Sequence, residues 1–201
     1  MTAIDDGQIQ QIVERVVAQV MGKTQSSAAA AVLQVPAEAQ AVPRQEFKPG
    51  GKRVVAIGAD HGGFDLKENL RAYITELGFD VRDMGAYHKS PVDYPEFAHA
   101  VARLVSIGEA WRGIMIDGAG IGSCIVANKV PGVRAGMAYD LSTASNGREH
   151  NDTNVLTLGA GLIGVNLARQ IVKTWLETEF GGGRHAPRVD KIMAVEKQYL
   201  K

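Results

Sequence analysis

The chain has 201 residues, 45% of them hydrophobic, with 22 basic and 22 acidic side chains that cancel to no formal net charge. That balance excludes the broad basic surface of a non-specific nucleic-acid binder and gives no reason to invoke a membrane surface. The single cysteine, Cys124, excludes an intrachain disulfide and fits a reducing cytoplasm; no apolar run is long enough to span a bilayer, and the N-terminus reads as no secretory signal. In "IDDGQIQQIVERVVAQVMGK" the apolar residues Ile9, Ile12, Val13, Val16, Val17, Val20 and Met21 fall on one helical stripe. Asp5 and Gln8 can form a capping box and Gly22 can end the helix. The Ala-, Ser-, Gln- and Pro-rich segment that follows has little periodicity. The reading is an amphipathic helix over 1–22, tethered by a flexible linker over 23–51 to a domain over 52–201. An isolated helix of that length needs a partner surface, its own domain, a second copy or a dedicated docking site.

From Lys52 onward strands and helices alternate. "RVVAIGAD" predicts a first strand and "FDLKENLRAYITELG" a helix stopped by Gly78. "FDVRDMG" predicts a second strand, and "PEFAHAVARLVSIGEA" a helix with Pro95 in its first turn. "RGIMID" is a third strand, followed by a glycine turn and the short helix "GSCIVANK". "VRAGMAY" is a fourth strand and "DLSTASNGREHND" a helix capped by Asp140. "NVLTLG" is a fifth strand, followed by two helices, "GVNLARQIVKTWLETE" and "RVDKIMAVEKQYL". This alternation predicts an α/β fold, a five-stranded parallel Rossmann-like sheet in a three-layer αβα sandwich, preceded by the tethered helix. Such sheets bind ligands at the carboxyl ends of their strands.

Those strand ends carry the polar residues. The first strand ends in Asp60-His61-Gly62-Gly63, the third in Asp117 and Gly118-Ala119-Gly120-Ile121-Gly122. A glycine turn opening a helix offers backbone N–H groups to an anion, although glycines also serve ordinary tight turns. No Gly-Lys-Ser/Thr follows, so it is not a nucleotide-binding P-loop, and the dinucleotide spacing is absent. Asp60 and His61 read either as a catalytic pair or as a helix cap beside a surface residue. His150 with Asn151 is open in the same way. Arg184 and Arg188, four apart in "GGGRHAPRV", can clamp a phosphate or form a solvated basic end. Cys124 reads as a structural thiol. No His or Cys cluster has metal-ligand spacing.

The stretches "GADHGGFDLK", "DYPEFA", "GAGIGSCIVANKVPGVRAG", "REHNDTNVLTLG" and "GGGRHAPRV" follow one another in an order that resembles the ribose-5-phosphate isomerase B and galactose-6-phosphate isomerase family over residues 53–201. The resemblance implies a dimer or dimer of dimers whose active sites, free of metal and cofactor, are shared between subunits. It implies interconversion of aldose and ketose phosphates through a cis-enediol. By position, His61 and Asp60 line the sugar site, His150 opens the sugar ring and Asn151 holds a sugar oxygen. The amides of Gly118, Ala119, Gly120, Ile121, Gly122 and Ser123 hold the enediolate, Arg184 and Arg188 the phosphate, and Tyr94 closes the pocket.

The chain departs from the family pattern where Asp117 and Ala119 replace the commoner Cys and Thr. It also has Ser123 where other members carry a Glu base, and Gly161 where an arginine is common. A desolvated carboxylate can remove a proton from a carbon beside a carbonyl. The expectation is therefore that Asp117 is the base, with the adjacent amides left for the substrate rather than for Asp117 itself. The expected substrate is ribose 5-phosphate. The alternatives are another pentose or hexose phosphate, or a homologue that binds sugar phosphates without turnover. Residues 1–22 and their linker resemble the encapsulation peptides of bacterial microcompartments. That resemblance implies a shell-protein partner for residues 5–21 and a place inside such a compartment, with no nucleic-acid or membrane partner.

Overall fold

The computed structural model describes residues 53–199. The docking helix and linker expected over 1–51 lie outside them. Five strands form one parallel sheet: β1 (Val54–Ala59), β2 (Asp80–Asp83), β3 (Arg112–Asp117), β4 (Ala135–Met137) and β5 (Val155–Gly159). Their spatial order is β2-β1-β3-β5-β4. The helices are α1 (Phe64–Glu76), α2 (Tyr94–Ser106), α3 (Ile121–Ala127), α4 (Leu141–Asn151), α5 (Val165–Glu177) and α6 (Ala186–Tyr199), with a 3-10 turn at Gly183–His185.

Alternation along the strands assigns side chains to two cores, because successive residues point to opposite faces. Val55, Ile57, Ala59, Ile114, Ile116, Leu156 and Leu158 face one core, where they meet Leu66, Leu70 and Ile74 of α1, Ala144 of α4 and Ile171 and Trp175 of α5. Ala56 and Val155 face the other, against Val101, Ala102 and Val105 of α2 and Ala127 of α3. Helices thus cover both faces, as expected for a parallel sheet. Leu70 and Ile74 are fully buried, and each such side chain contributes about 1.5–3 kcal/mol relative to exposure.

Local signals read from the sequence set the helix starts. Asp140 accepts from the Thr143 amide at 2.7 Å, and Thr143 completes a capping box at the head of α4. Pro95 occupies the first turn of α2. Gly63 lets α1 start hard against β3, since a Cβ there would lie 2.5 Å from the Ile116 carbonyl oxygen. The chain leaves β1 for the outer strand β2 and then crosses to β3 on the other side of β1. The carboxyl ends of β1 and β3 therefore flank the point where the winding direction changes, the place for a ligand in such a sheet.

Candidate active site

At that point β3 delivers Asp117 into the glycine turn. Gly120 adopts φ +79°, a conformation that favours glycine, and caps α3. The turn curls around the carboxylate. Asp117 Oδ1 accepts from the amides of Ala119, at 2.8 Å, and of Gly120. Oδ2 accepts from the Ser123 amide at 3.1 Å and from the Ser123 hydroxyl at 2.5 Å. Asp117 is only 5% exposed. The expectation that these amides stand free for substrate is corrected here: those of Ala119, Gly120 and Ser123 are spent on Asp117. The physical reason is local. A carboxylate buried at the head of a helix takes the nearest N–H donors, and here they lie two to six residues away in its own turn. The amides of Ile121 and Gly122 donate to none of the described residues, and the Gly118 carbonyl accepts from the Gly161 amide at 3.0 Å.

Beside the turn stands the end of β1. Asp60 is buried and its Oδ1 accepts from the Gly63 amide at 2.9 Å. His61 is exposed, with Nδ1 3.2 Å from both the amide and the carbonyl of Val92. That contact ties it to the segment leading into Tyr94. The Tyr94 ring lies flat over Gly122, where a Cβ would come within 2.5 Å of the ring's Cζ. Asp60, His61, Tyr94, Asp117 and residues 118–123 are thus gathered at one end of the sheet.

His150, Asn151, Arg184 and Arg188 are not. His150 and Asn151 close α4, whose last turn leads through Thr153 into the start of β5. In the ladder Val155 pairs with Gly113, whereas Asp117 pairs with Gly159. The two groups are separated by four residue steps of sheet, on the order of 13 Å. Gly181 N–H donates to the Glu149 carbonyl at 2.9 Å and brings the "GGGRHAPRV" segment to His150. There the rings of His150 and His185 stack, 4.2 Å between centroids and 8° between planes. Arg184 and Arg188 are exposed beside them. The expected site residues of one chain thus divide into two candidate half-sites at opposite ends of its sheet.

Three comparisons bear on these half-sites. The family model described as Ribose/Galactose Isomerase matches residues 55–192. The chain belongs to this family. The ribose-5-phosphate isomerase B of Escherichia coli is 43% identical over 144 residues, 72% of this chain and 97% of the relative. The D-erythrulose-4-phosphate isomerase of Pectobacterium atrosepticum is 42% identical over 146 residues, 72% of this chain and 95% of the relative. A solved ribose-5-phosphate isomerase B from Clostridium thermocellum superposes with a TM-score of 0.72 at 48% identity, covering 73% of this chain and 99% of that one. The described domain is an aldose–ketose isomerase of sugar phosphates.

Cys124 sits one turn into α3. Its thiol is half-buried and points at the Ala135 carbonyl oxygen, 3.6 Å away. Burial, and then the Asp117 charge, push the thiol up, outweighing hydrogen bonds to Thr157 and Asn128. It stays protonated and poorly nucleophilic at neutral pH. Gly161 brings no arginine to the site and instead stitches its loop to the glycine turn through Gly118.

Sequence reasoning missed the groups that hold the half-sites in place. Lys67 is fully buried, its Nζ 2.7 Å from each carboxylate oxygen of Asp83. Asp83 in turn accepts from the Gly85 amide at 2.9 Å, at the start of the segment that leads to Tyr94. At the other end, buried Arg112 donates to the carbonyls of Trp175 at 2.6 Å, Leu176 at 3.0 Å and Thr178 at 3.3 Å. It thereby satisfies the orphan carbonyls of α5. Burial and the nearby Arg148 charge pull its guanidinium down to about 9. Arg148 is also buried and binds Asp152, the Thr153 carbonyl and the Thr178 carbonyl. Both arginines donate to the Thr178 carbonyl and so hold the segment after α5 against α4, the helix that carries His150. A basic residue next to an aromatic in "AWRG" is the only trace of this in the sequence.

Proposed function

We propose that the protein interconverts ribose 5-phosphate and ribulose 5-phosphate, and that two copies complete each active site. The observation that carries this is the division of the polar residues into two half-sites about 13 Å apart along one sheet. Neither half suffices. Among the described residues the Asp117 end has a carboxylate and free amides but no arginine set to clamp a phosphate, whereas the His150 end has two arginines but no base beside an oxyanion cradle.

Exposed apolar residues support the pairing. Ile121, Ile125, Leu141, Leu162 and Val165 lie on the elements that carry the Asp117 half-site or follow its neighbouring strands, and all are at least 41% exposed. An isologous dimer, or a dimer of dimers, would cover such a surface and bring one copy's His150 end to the other's Asp117 end.

In the completed site Arg184 and Arg188 hold the phosphate, and Asn151 and Asp60 the sugar hydroxyls. His150 carries the proton that passes between the anomeric hydroxyl and the ring oxygen as the furanose opens. Asp117 then takes the proton from C2 of the open aldose. The carbonyl electrons move onto O1, where the amides of Ile121 and Gly122 stabilise the charge. Return of the proton to C1, with transfer from O2 to O1, completes the ketose. For Asp117 to accept a proton, one oxygen must lose a donor. The Ser123 hydroxyl can be released by rotation about a single bond, which the backbone amides cannot. His61 and Tyr94 close the site from above.

The experiment mixes subunits. Asp117→Asn and His150→Ala should each be inactive alone. Random reassortment gives half heterodimers, each with one intact site, so roughly a quarter of wild-type activity should return. No recovery from demonstrably mixed subunits would place the whole site within one chain. A second reading, a four-carbon substrate, is favoured by the likeness to the erythrulose 4-phosphate isomerase. Such a substrate, phosphorylated at O4, cannot close a furanose ring and would have no use for His150. We further propose that residues 5–21 dock this enzyme to a microcompartment shell protein; the apolar stripe and the linker composition support it.

A further inference from the structure

We propose that His185 is a positioning residue for His150. Its ring is a platform that fixes the plane of the His150 imidazole. The inference rests on the ring-opening role given to His150 above, and on four observations.

The rings are parallel within 8° at 4.2 Å between centroids, a stack that defines the orientation of a side chain otherwise half-exposed at the end of a helix. Arg184 Nε donates to His185 Nε2 at 3.4 Å. That contact fits the tautomer with its hydrogen on Nδ1. The charged neighbours divide the pair in the same sense. His150 Nε2 has the Glu149 carboxylate 3.9 Å away, whereas His185 stands beside Arg184 and Arg188. Partial desolvation, then the charges of His150, Arg184 and Arg188, push the His185 imidazole below its ordinary range, with Glu149 the one group working the other way. Two imidazolium rings face to face would repel, so a proton on one excludes it from the other.

The geometry thus separates two histidines that look equivalent in the sequence. The platform also links the two functions of this half-site, because the segment that carries Arg184 and Arg188 toward a phosphate also supplies the ring that orients His150.

The test follows the imidazole C2–H resonances of the full chain by NMR from about pH 8 to about pH 5. His185 should titrate below the ordinary imidazole range. In His150→Gln the His185 midpoint should rise, because the competing charge is gone. With ribose 5-phosphate, His185→Ala should lower kcat about tenfold with KM little changed, and His185→Phe, which keeps a flat ring without a charge, should recover most of that loss. A His185 midpoint indifferent to His150→Gln overturns the proposal, as does a Phe variant no better than the Ala variant. Undiminished turnover of ribose 5-phosphate by His150→Gln would overturn the ring-opening role instead, and the NMR titration would still decide the pairing.

Discussion

The Ser123 hydroxyl lies 2.5 Å from Asp117 Oδ2, and Ser123 has no exposed surface at all. Asp117 therefore organises its own turn, in addition to the role of base proposed for it. Replacing Ser123 by Ala removes one donor and leaves three amides. Loss of a hydrogen bond to a charged group should cost about 1.5–3 kcal/mol of stability, read as a lower denaturation midpoint. Turnover should fall by less than about tenfold, because the lone pair that must be freed is then already free. A Ser123→Ala enzyme as inactive as Asp117→Asn would show that the hydroxyl itself moves the proton.

Arg184 and Arg188 are exposed and four residues apart. In the proposed site, with Gly161 bringing no third guanidinium, they are the two groups assigned to the phosphate. Arg188→Ala should weaken substrate binding by about 1.5–3 kcal/mol, roughly 10- to 150-fold in KM. Arg188→Lys should recover only part of it, since a point charge cannot make the bidentate contact. Unchanged inhibition by inorganic phosphate in Arg188→Ala would contradict the assignment.

Lys67 and Asp83 form a buried pair beside Glu68, whose Oε1 lies 3.0 Å from the Lys67 amine. Breaking the pair by Lys67→Met strands Asp83 and should destabilise the fold by about 3–5 kcal/mol in denaturant titrations. Burial works to raise the Glu68 carboxyl, but the hydrogen bonds and charges of Lys67 and Arg71 together hold it below the ordinary 4.5. A depressed carboxyl stabilises the fold above its unfolded value. That contribution is fully present above about pH 4.5 and is lost as pH falls through the lower folded value. Glu68→Gln should therefore flatten the acid limb of the stability curve. An identical limb in the variant would remove Glu68 from the account.

Gly122 is glycine because Tyr94 occupies the space of a side chain there. Gly122→Ala should push the Tyr94 ring away from the turn. Turnover should drop with a smaller loss of stability, and Tyr94→Ala in the same background should add little further loss, since the two changes disturb one contact. Fully additive losses would show that the ring and the glycine act separately.

Deleting residues 1–51 should leave isomerase activity and oligomeric state nearly unchanged and abolish association with a shell protein. Val16→Glu, a charge in the apolar stripe, should have the same selective effect in the full chain. Loss of activity on deletion would make the segment part of the enzyme.

Much of this architecture could be read from the chain. The β-branched runs, Asp140 at a helix start, Pro95 in a first turn and the glycine turn are local signals that depend on neighbours a few residues away. The missed features depend on distant partners. Nothing local in "FDLKENL" marks Lys67 as buried, because Asp83, its partner, is sixteen residues on. His185 acquires its meaning only from the ring of His150. The direction in which the turn's amides point was missed for a subtler reason. Asp117 and its donors are adjacent in sequence, but whether they face each other or a ligand depends on the rotamer of one side chain. A site shared between two copies was an expectation from the family resemblance, and the separation that motivates the proposal, a helix that returns His150 to the amino end of β5, appears only in the folded chain.

The central claim is that this chain moves a proton at C2 of a sugar phosphate with Asp117 as the base. The direct measurement is deuterium incorporation into ribose 5-phosphate and ribulose 5-phosphate in heavy water, followed by NMR, for wild type, Asp117→Asn and Cys124→Ser. Wild type and Cys124→Ser should exchange the C2 proton, and Asp117→Asn should exchange it more slowly by about 10²–10⁴. Rapid exchange by Asp117→Asn together with none by Cys124→Ser would contradict the account and move the base to the thiol.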